Sequence, residues 1–130
     1  MHRFKIAAAA ACLALAACAA EVVRQPSELK PTADAAPRSF VLRDSVKYML
    51  DSRYERVLRG YTQFVEVGSI AQGRVLRPTN AVMTVEGKHM HEAYAVVKDD
   101  RLIGFYLPVE RSFSPLSQPV SLTLEERKTQ

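Results

Sequence analysis

Between residues 44 and 61 the apolar side chains recur at helical spacing, and after Gly60 they recur at every second residue. In "RDSVKYMLDSRYERVLRGY", Val46, Met49, Leu50, Tyr54, Val57, Leu58 and Tyr61 fall on one face at 3.6 residues per turn. Asp44 or Ser45 is placed to cap the start and Gly60 to close the end, so the spacing predicts a helix over 45–59. Val46, Tyr48 and Leu50 also alternate as a short strand would, which keeps a strand open for this segment. Downstream, Phe64 to Val67, Val75-Leu76, Ala81 to Val85, Met90 to Val97 and Leu102 to Val109 read as strands. Their separators, "AQG", "RPTN", "EGK" and "KDD", are rich in turn formers.

"VSLTL" (120–124) alternates most cleanly, whereas "LIGFYLPV" (102–109) is apolar on both parities and predicts a central strand covered on both faces. In "GFYLPVERSFSPLSQP" the expectation is that Phe113 and Leu116 fold back onto the core; exposed, they would form a small binding patch. The pattern as a whole predicts an α+β fold: a small antiparallel sheet of about five strands with one N-terminal helix over it. An all-β roll is the alternative.

The chain is 130 residues long, enough for one domain. Its formal charge of +4 falls to +2 from Cys18 onward, with 16 basic and 14 acidic residues, so no nucleic-acid partner is implied. Cys12 and Cys18 are the two cysteines, and both lie in the apolar N-terminal run. The body of the chain therefore offers neither a disulfide nor a thiolate metal site. Arg3 and Lys5 precede an uncharged run from Ile6 to Ala20, 15 residues against the roughly 20 that a spanning helix needs. A basic start, a short apolar run and small residues at its end read as a secretory signal peptide.

At the end of that run, Leu15-Ala16-Ala17-Cys18 resembles the lipobox of bacterial lipoprotein signal peptides. The resemblance covers only the first twenty or so residues, and it implies a specific chemistry. The Cys18 sulfur receives a diacylglycerol, the chain is cut between Ala17 and Cys18, and the new amine is open to acylation. It further implies sorting to the outer membrane, on the periplasmic face, because Ala19 stands where an inner-membrane retention aspartate would. Ala17-Cys18-Ala19 also satisfies an A-x-A cleavage rule, and the alternative is a soluble periplasmic protein.

The expected organisation is then a signal peptide (1–17), a lipidated Cys18 with a flexible linker (18–39), a small globular domain (40–126) and a short tail (127–130). Pro26, Pro31 and Pro37 recur in the linker without apolar periodicity.

Candidate chemistry in the domain is sparse. "HMHE" (89–92) places His89 and His91 on the same face of a strand, a spacing that chelates copper or zinc when further ligands join. No nucleophile motif, phosphate loop or carboxylate dyad stands out, and Asp99-Asp100 reads as a hairpin turn, so no catalytic residue and no cofactor are expected. Arg43, Lys47, Arg53, Arg56 and Arg59 alternate with Asp44, Asp51 and Glu55, the pattern of a solvated face; a contact with anionic lipid or an acidic partner is the alternative. The expectation is a lipid-anchored, non-catalytic interaction or accessory module facing the periplasm, with the membrane and envelope proteins as partners. The alternative is a periplasmic copper- or zinc-binding lipoprotein using His89 and His91.

Overall fold

The computed structural model describes residues 21–33 and 36–128, and every regular element among them is a β-strand. The expected α+β arrangement is therefore wrong. No helix stands among the described residues, and the main sheet has ten strands where about five were expected. Its strands are β1 (Gln25–Pro26), β2 (Lys30–Pro31), β3 (Ser39–Leu42), β6 (Gln63–Ile70), β7 (Gly73–Pro78), β8 (Met83–Glu86), β9 (Met90–Lys98), β10 (Arg101–Leu107), β11 (Ser112–Ser121) and β12 (Leu124–Arg127). Two further strands, β4 (Val46–Met49) and β5 (Glu55–Leu58), form a separate hairpin.

That hairpin replaces the expected helix over 45–59. Val46 pairs with Leu58 and Met49 with Glu55, while Arg53 takes a left-handed φ of 68° in the turn between the strands. Tyr48, Leu50 and Leu58 are buried, whereas Met49 and Val57 are more than half exposed. Both apolar residues had counted towards the helical face. The alternation at 46, 48 and 50 decides the outcome, because Tyr48 and Leu50 then share one face that a sheet beneath can cover.

In the main sheet the neighbours run β1-β11-β10-β9-β7-β6-β3-β12, all antiparallel, with β2 also on β6 and β8 also on β9. β7 and β8 both run antiparallel to β9, β7 along its C-terminal half and β8 along its N-terminal half. Asp99 and Asp100 join β9 to β10 with φ of 52° and 58°, the doubly left-handed pair of a type I′ turn. The segment "VSLTL" is split. Val120 and Ser121 close β11, Leu122 and Thr123 make a corner, and Leu124 opens β12. Ser39 and Arg127 pair with each other.

Two short connections govern the shape. β11 and β12 lie far apart in the strand order, yet Ser121 and Leu124 are three residue steps apart, which span at most about 11 Å. The sheet must curl to bring them together, and the corner is tied by Leu122 N–H to Asp100 O (2.8 Å) and Arg43 N–H to Thr123 O (2.9 Å). On the opposite diagonal, Pro26 and Lys30 are four steps apart, at most about 14 Å, although they pair with β11 and β6 respectively. Three strands separate β11 from β6, so in a flat sheet those two alone would lie about 19 Å apart. The two diagonals of the twisted sheet are thus folded towards opposite faces. Much of 21–33, part of the stretch expected as a linker, lies along the sheet as a strap.

Each face carries its own core. The larger cluster includes Phe40, Leu42, Phe64, Leu76, Ala95, Val97, Leu102, Phe105, Leu107, Leu116 and Leu122. The β4–β5 hairpin covers it, with the Tyr48 ring 5.5 Å from that of Phe105. The smaller cluster holds Ile70, Val75, Val96, Tyr106 and Phe113, closed by Leu29 of the strap. Phe113 and Leu116 are therefore core residues on opposite faces of β11, a strand that Pro115 and Pro119 hid from sequence reading. Register shifts at Val67 in β6 and Ile103 in β10 are β-bulges that reverse which parity faces which cluster. This explains why 102–109 is apolar on both parities. Leu102, Phe105 and Leu107 serve one core, and Ile103 and Tyr106 serve the other.

Just past the second bulge, a Cβ on Gly104 would stand 2.4 Å from Ser114 O and 2.6 Å from the Phe113 ring. Gly104→Ala is expected to force β10 and β11 apart and to destabilise the chain by about 2–3 kcal/mol. Urea unfolding followed by tyrosine fluorescence, in a chain without tryptophan, measures this directly.

Candidate functional site

Cys18, the residue expected to carry lipid, lies outside the described residues, as does Cys12. The two candidate metal-binding histidines are described, and their positions differ. His89 lies exposed in the β8–β9 turn, its carbonyl accepting from Gly87 N–H at 3.1 Å. The strand alternation that would aim both rings down one face begins only at Met90. His91, largely buried on β9, has its Nδ1 2.6 Å from Glu110 Oε1 in the β10–β11 turn. Arg24 of the strap stands 4.0 Å from the same oxygen, and Glu110 Oε2 is buried without a partner. Among the described residues no three His, Cys, Asp or Glu side chains converge in a geometry for holding a metal ion.

The basic residues of 43–59 are mostly engaged. Arg43 pairs with Glu125 at 3.0 Å, Lys47 with Glu55 at 3.7 Å, and Arg56 with Glu86.

The structure brings together a group of residues that no sequence motif announces. A cleft of about 540 Å³ opens where the tip of the β4–β5 hairpin, the β8–β9 turn and the middle of β11 meet. Its floor is Leu50, Val85, Phe105 and Leu116, all nearly inaccessible and all part of the larger core. Ser114 is the one buried polar side chain among the lining residues. Around the mouth stand Glu21, Val23, Asp51, Arg53, Tyr54 and Glu86, exposed apart from partly covered Glu86. The volume lies within the range of small-molecule sites, and the apolar floor suits hydrocarbon better than a polar ligand.

Two polar ties hold the walls. Ser117 Oγ donates to Asp51 Oδ1, joining the hairpin tip to β11. Arg56 donates to Glu86, joining β5 to the end of β8. Between these strands the hairpin and the sheet do not zip together. β5 pairs only with β4 and β8 only with β9 among the described strands, and a groove of about 480 Å³ runs along the seam beside exposed Val57, Tyr61 and Val82. The Tyr48 phenol beside this seam is pushed up from its ordinary value, chiefly by burial; the Glu86 charge adds to the rise and the Arg56 charge opposes it. Four distant segments supply the cleft floor, so only knowledge of the strand order could have assembled it.

The pairing of Glu110 has a measurable consequence. Desolvation pushes its carboxyl up, but the hydrogen bond to His91, its own backbone N–H and the charges of His91 and Arg24 together hold it below the ordinary 4.5. A carboxyl lowered on folding contributes stability above its unfolded value and loses it as pH falls through the folded one. Glu110→Gln is expected to remove that contribution, giving a shallower loss of stability on acidification below about pH 4.5. Chemical denaturation at a series of pH values, compared with the parent chain, checks the slope. In comparisons with known proteins, the chain matches no family model, no curated protein and no solved structure.

Proposed function

We propose that this chain is a bacterial envelope lipoprotein, held by Cys18 on the periplasmic face of the outer membrane, whose all-β domain is a non-catalytic interaction or accessory module. The observation that carries this reading is the run Leu15-Ala16-Ala17-Cys18 at the end of a short apolar stretch behind Arg3 and Lys5. Thioether-linked diacylglycerol with further acylation gives stable anchoring, since a single chain holds only marginally and a second converts that to firm attachment.

The fold adds a geometric argument about how such a domain is presented. Glu21, three residues after Cys18, stands on the rim of the apolar cleft, and Val22 packs against the larger core. Three residue steps reach at most about 11 Å, so an anchor at Cys18 keeps the cleft mouth beside the membrane surface. The strap, paired to β11 and β6, removes most of the slack that a free linker over 18–39 would have supplied. The domain is accordingly held close, with its cleft towards the lipid and its β5–β8 seam available to envelope partners.

Mass spectrometry of the mature protein from its native membrane tests the reading. The expected N-terminus is Cys18 carrying acyl groups; an unmodified chain beginning at Ala20 would overturn it. Cys18→Ala is expected to abolish the acylated species altogether, and affinity purification of the acylated protein from solubilised membranes identifies the partner.

A further inference from the structure

We propose that the cleft at the hairpin tip seats one acyl chain of the lipid borne by Cys18, and this rests on the lipoprotein reading above. The floor is hydrocarbon: Leu50, Val85, Phe105 and Leu116 are core residues that form the base of an opening to the outside. An apolar floor of this size, with a single buried hydroxyl at Ser114, recognises a flexible hydrocarbon by exclusion of water and not by polar contacts. The chain itself forms one wall. Val22 and Val23 line the cleft, Val23 with 62% of its surface exposed, and Glu21 ends the described chain at the mouth.

Reach is not limiting. Cys18 lies three residue steps from Glu21, at most about 11 Å, so a glyceryl group on its sulfur is delivered to the opening. Charge selects among lipids. Glu86 and Arg56 neutralise each other, which leaves the carboxylates of Glu21 and Asp51 at the mouth against Arg53, the one cation among the lining residues. An excess of carboxylate repels a fatty-acid anion or an anionic phospholipid headgroup at the entrance. The diacylglycerol on a cysteine sulfur is uncharged and meets no such barrier.

In this arrangement the hairpin works as a cover. Asp51 bonded to Ser117 and Arg56 bonded to Glu86 keep its tip over the chain, and release of those ties would hand the chain to the bilayer. With one chain held by the domain, membrane attachment falls to the remaining chains.

The test uses the full-length protein made in cells fed a diazirine-bearing fatty acid, then purified, irradiated, digested and analysed by mass spectrometry. The expected product is an intramolecular link joining the acylated Cys18 peptide to peptides containing Leu50–Tyr54 or Ser114–Leu116. Val23→Asp, at an exposed position, is expected to lose most of that link. Leu116→Arg is expected to lose it as well, with circular dichroism reporting whether the β-structure is kept. Labelled Cys18 with no link to cleft peptides overturns the proposal and leaves the lipoprotein reading standing. Adducts of phospholipid mass on cleft peptides, without the Cys18 link, also overturn it by assigning the cleft to bilayer lipid. An unmodified Cys18 overturns both.

Discussion

The architecture depends on the twist of one antiparallel sheet whose opposite corners are joined by connections too short for a flat arrangement. Two corner residues carry the chain from β11 to β12 across the width of the sheet, and three residues carry the strap from β1 to β2 across the other diagonal. Right-handed twist brings diagonal corners towards opposite faces, and the bulges at Val67 and Ile103 increase it locally. Each face then closes over its own apolar cluster, one under the β4–β5 hairpin and one under Leu29. Removing the twist would leave both clusters open.

The cleft is a by-product of that closure. A hairpin that packs on the face of a curled sheet can pair with the strands at either side only if its edges reach them. Here side chains bridge what backbone pairing does not: Ser117 to Asp51 on the β11 side, and Arg56 to Glu86 on the β8 side. The space left at the tip is lined by core residues because nothing else in the described chain fills it. Among the described strands the same incomplete pairing leaves the β5 and β8 edges without a partner, with polar Thr84 and Glu55 and the nearby Arg59 as their modest protection against strand addition by other chains.

Much of this was legible in the alternation of the chain. The β6, β8 and β9 segments were marked by their apolar alternation, β7 and β10 by short apolar runs between turn formers, and Asp99-Asp100 by its turn chemistry. The helix over 45–59 was misread because Met49 and Val57 supplied a helical stripe, although both point outward in the hairpin. Cross-strand pairing of Val46 with Leu58 depends on a turn at 50–54 and on a sheet to pack against, and neither is visible in a local window. The larger part of β11, before Val120, was missed because two prolines interrupt it, and β1 and β2 because two-residue strands carry no period. The cleft floor draws on four segments, so its assembly is a property of strand order and not of any stretch of sequence.

The strap has a bearing on how the chain acquires its structure. Among the described residues Gln25–Pro26 and Lys30–Pro31 are the first strands, yet their partners lie in β11 and β6, some 87 and 38 residues later. β3, near the start, likewise waits for β12 near the end. Such non-local pairings carry loop-closure entropy that is met only late, which places folding in the milliseconds-to-seconds class of high contact order. Until β11 has been added, the second apolar cluster lacks both Phe113 and the strand that docks its cover. In a nascent chain with this topology the local β4–β5 and β6–β7 pairings can form early, but the second cluster closes only once the C-terminal quarter is in place.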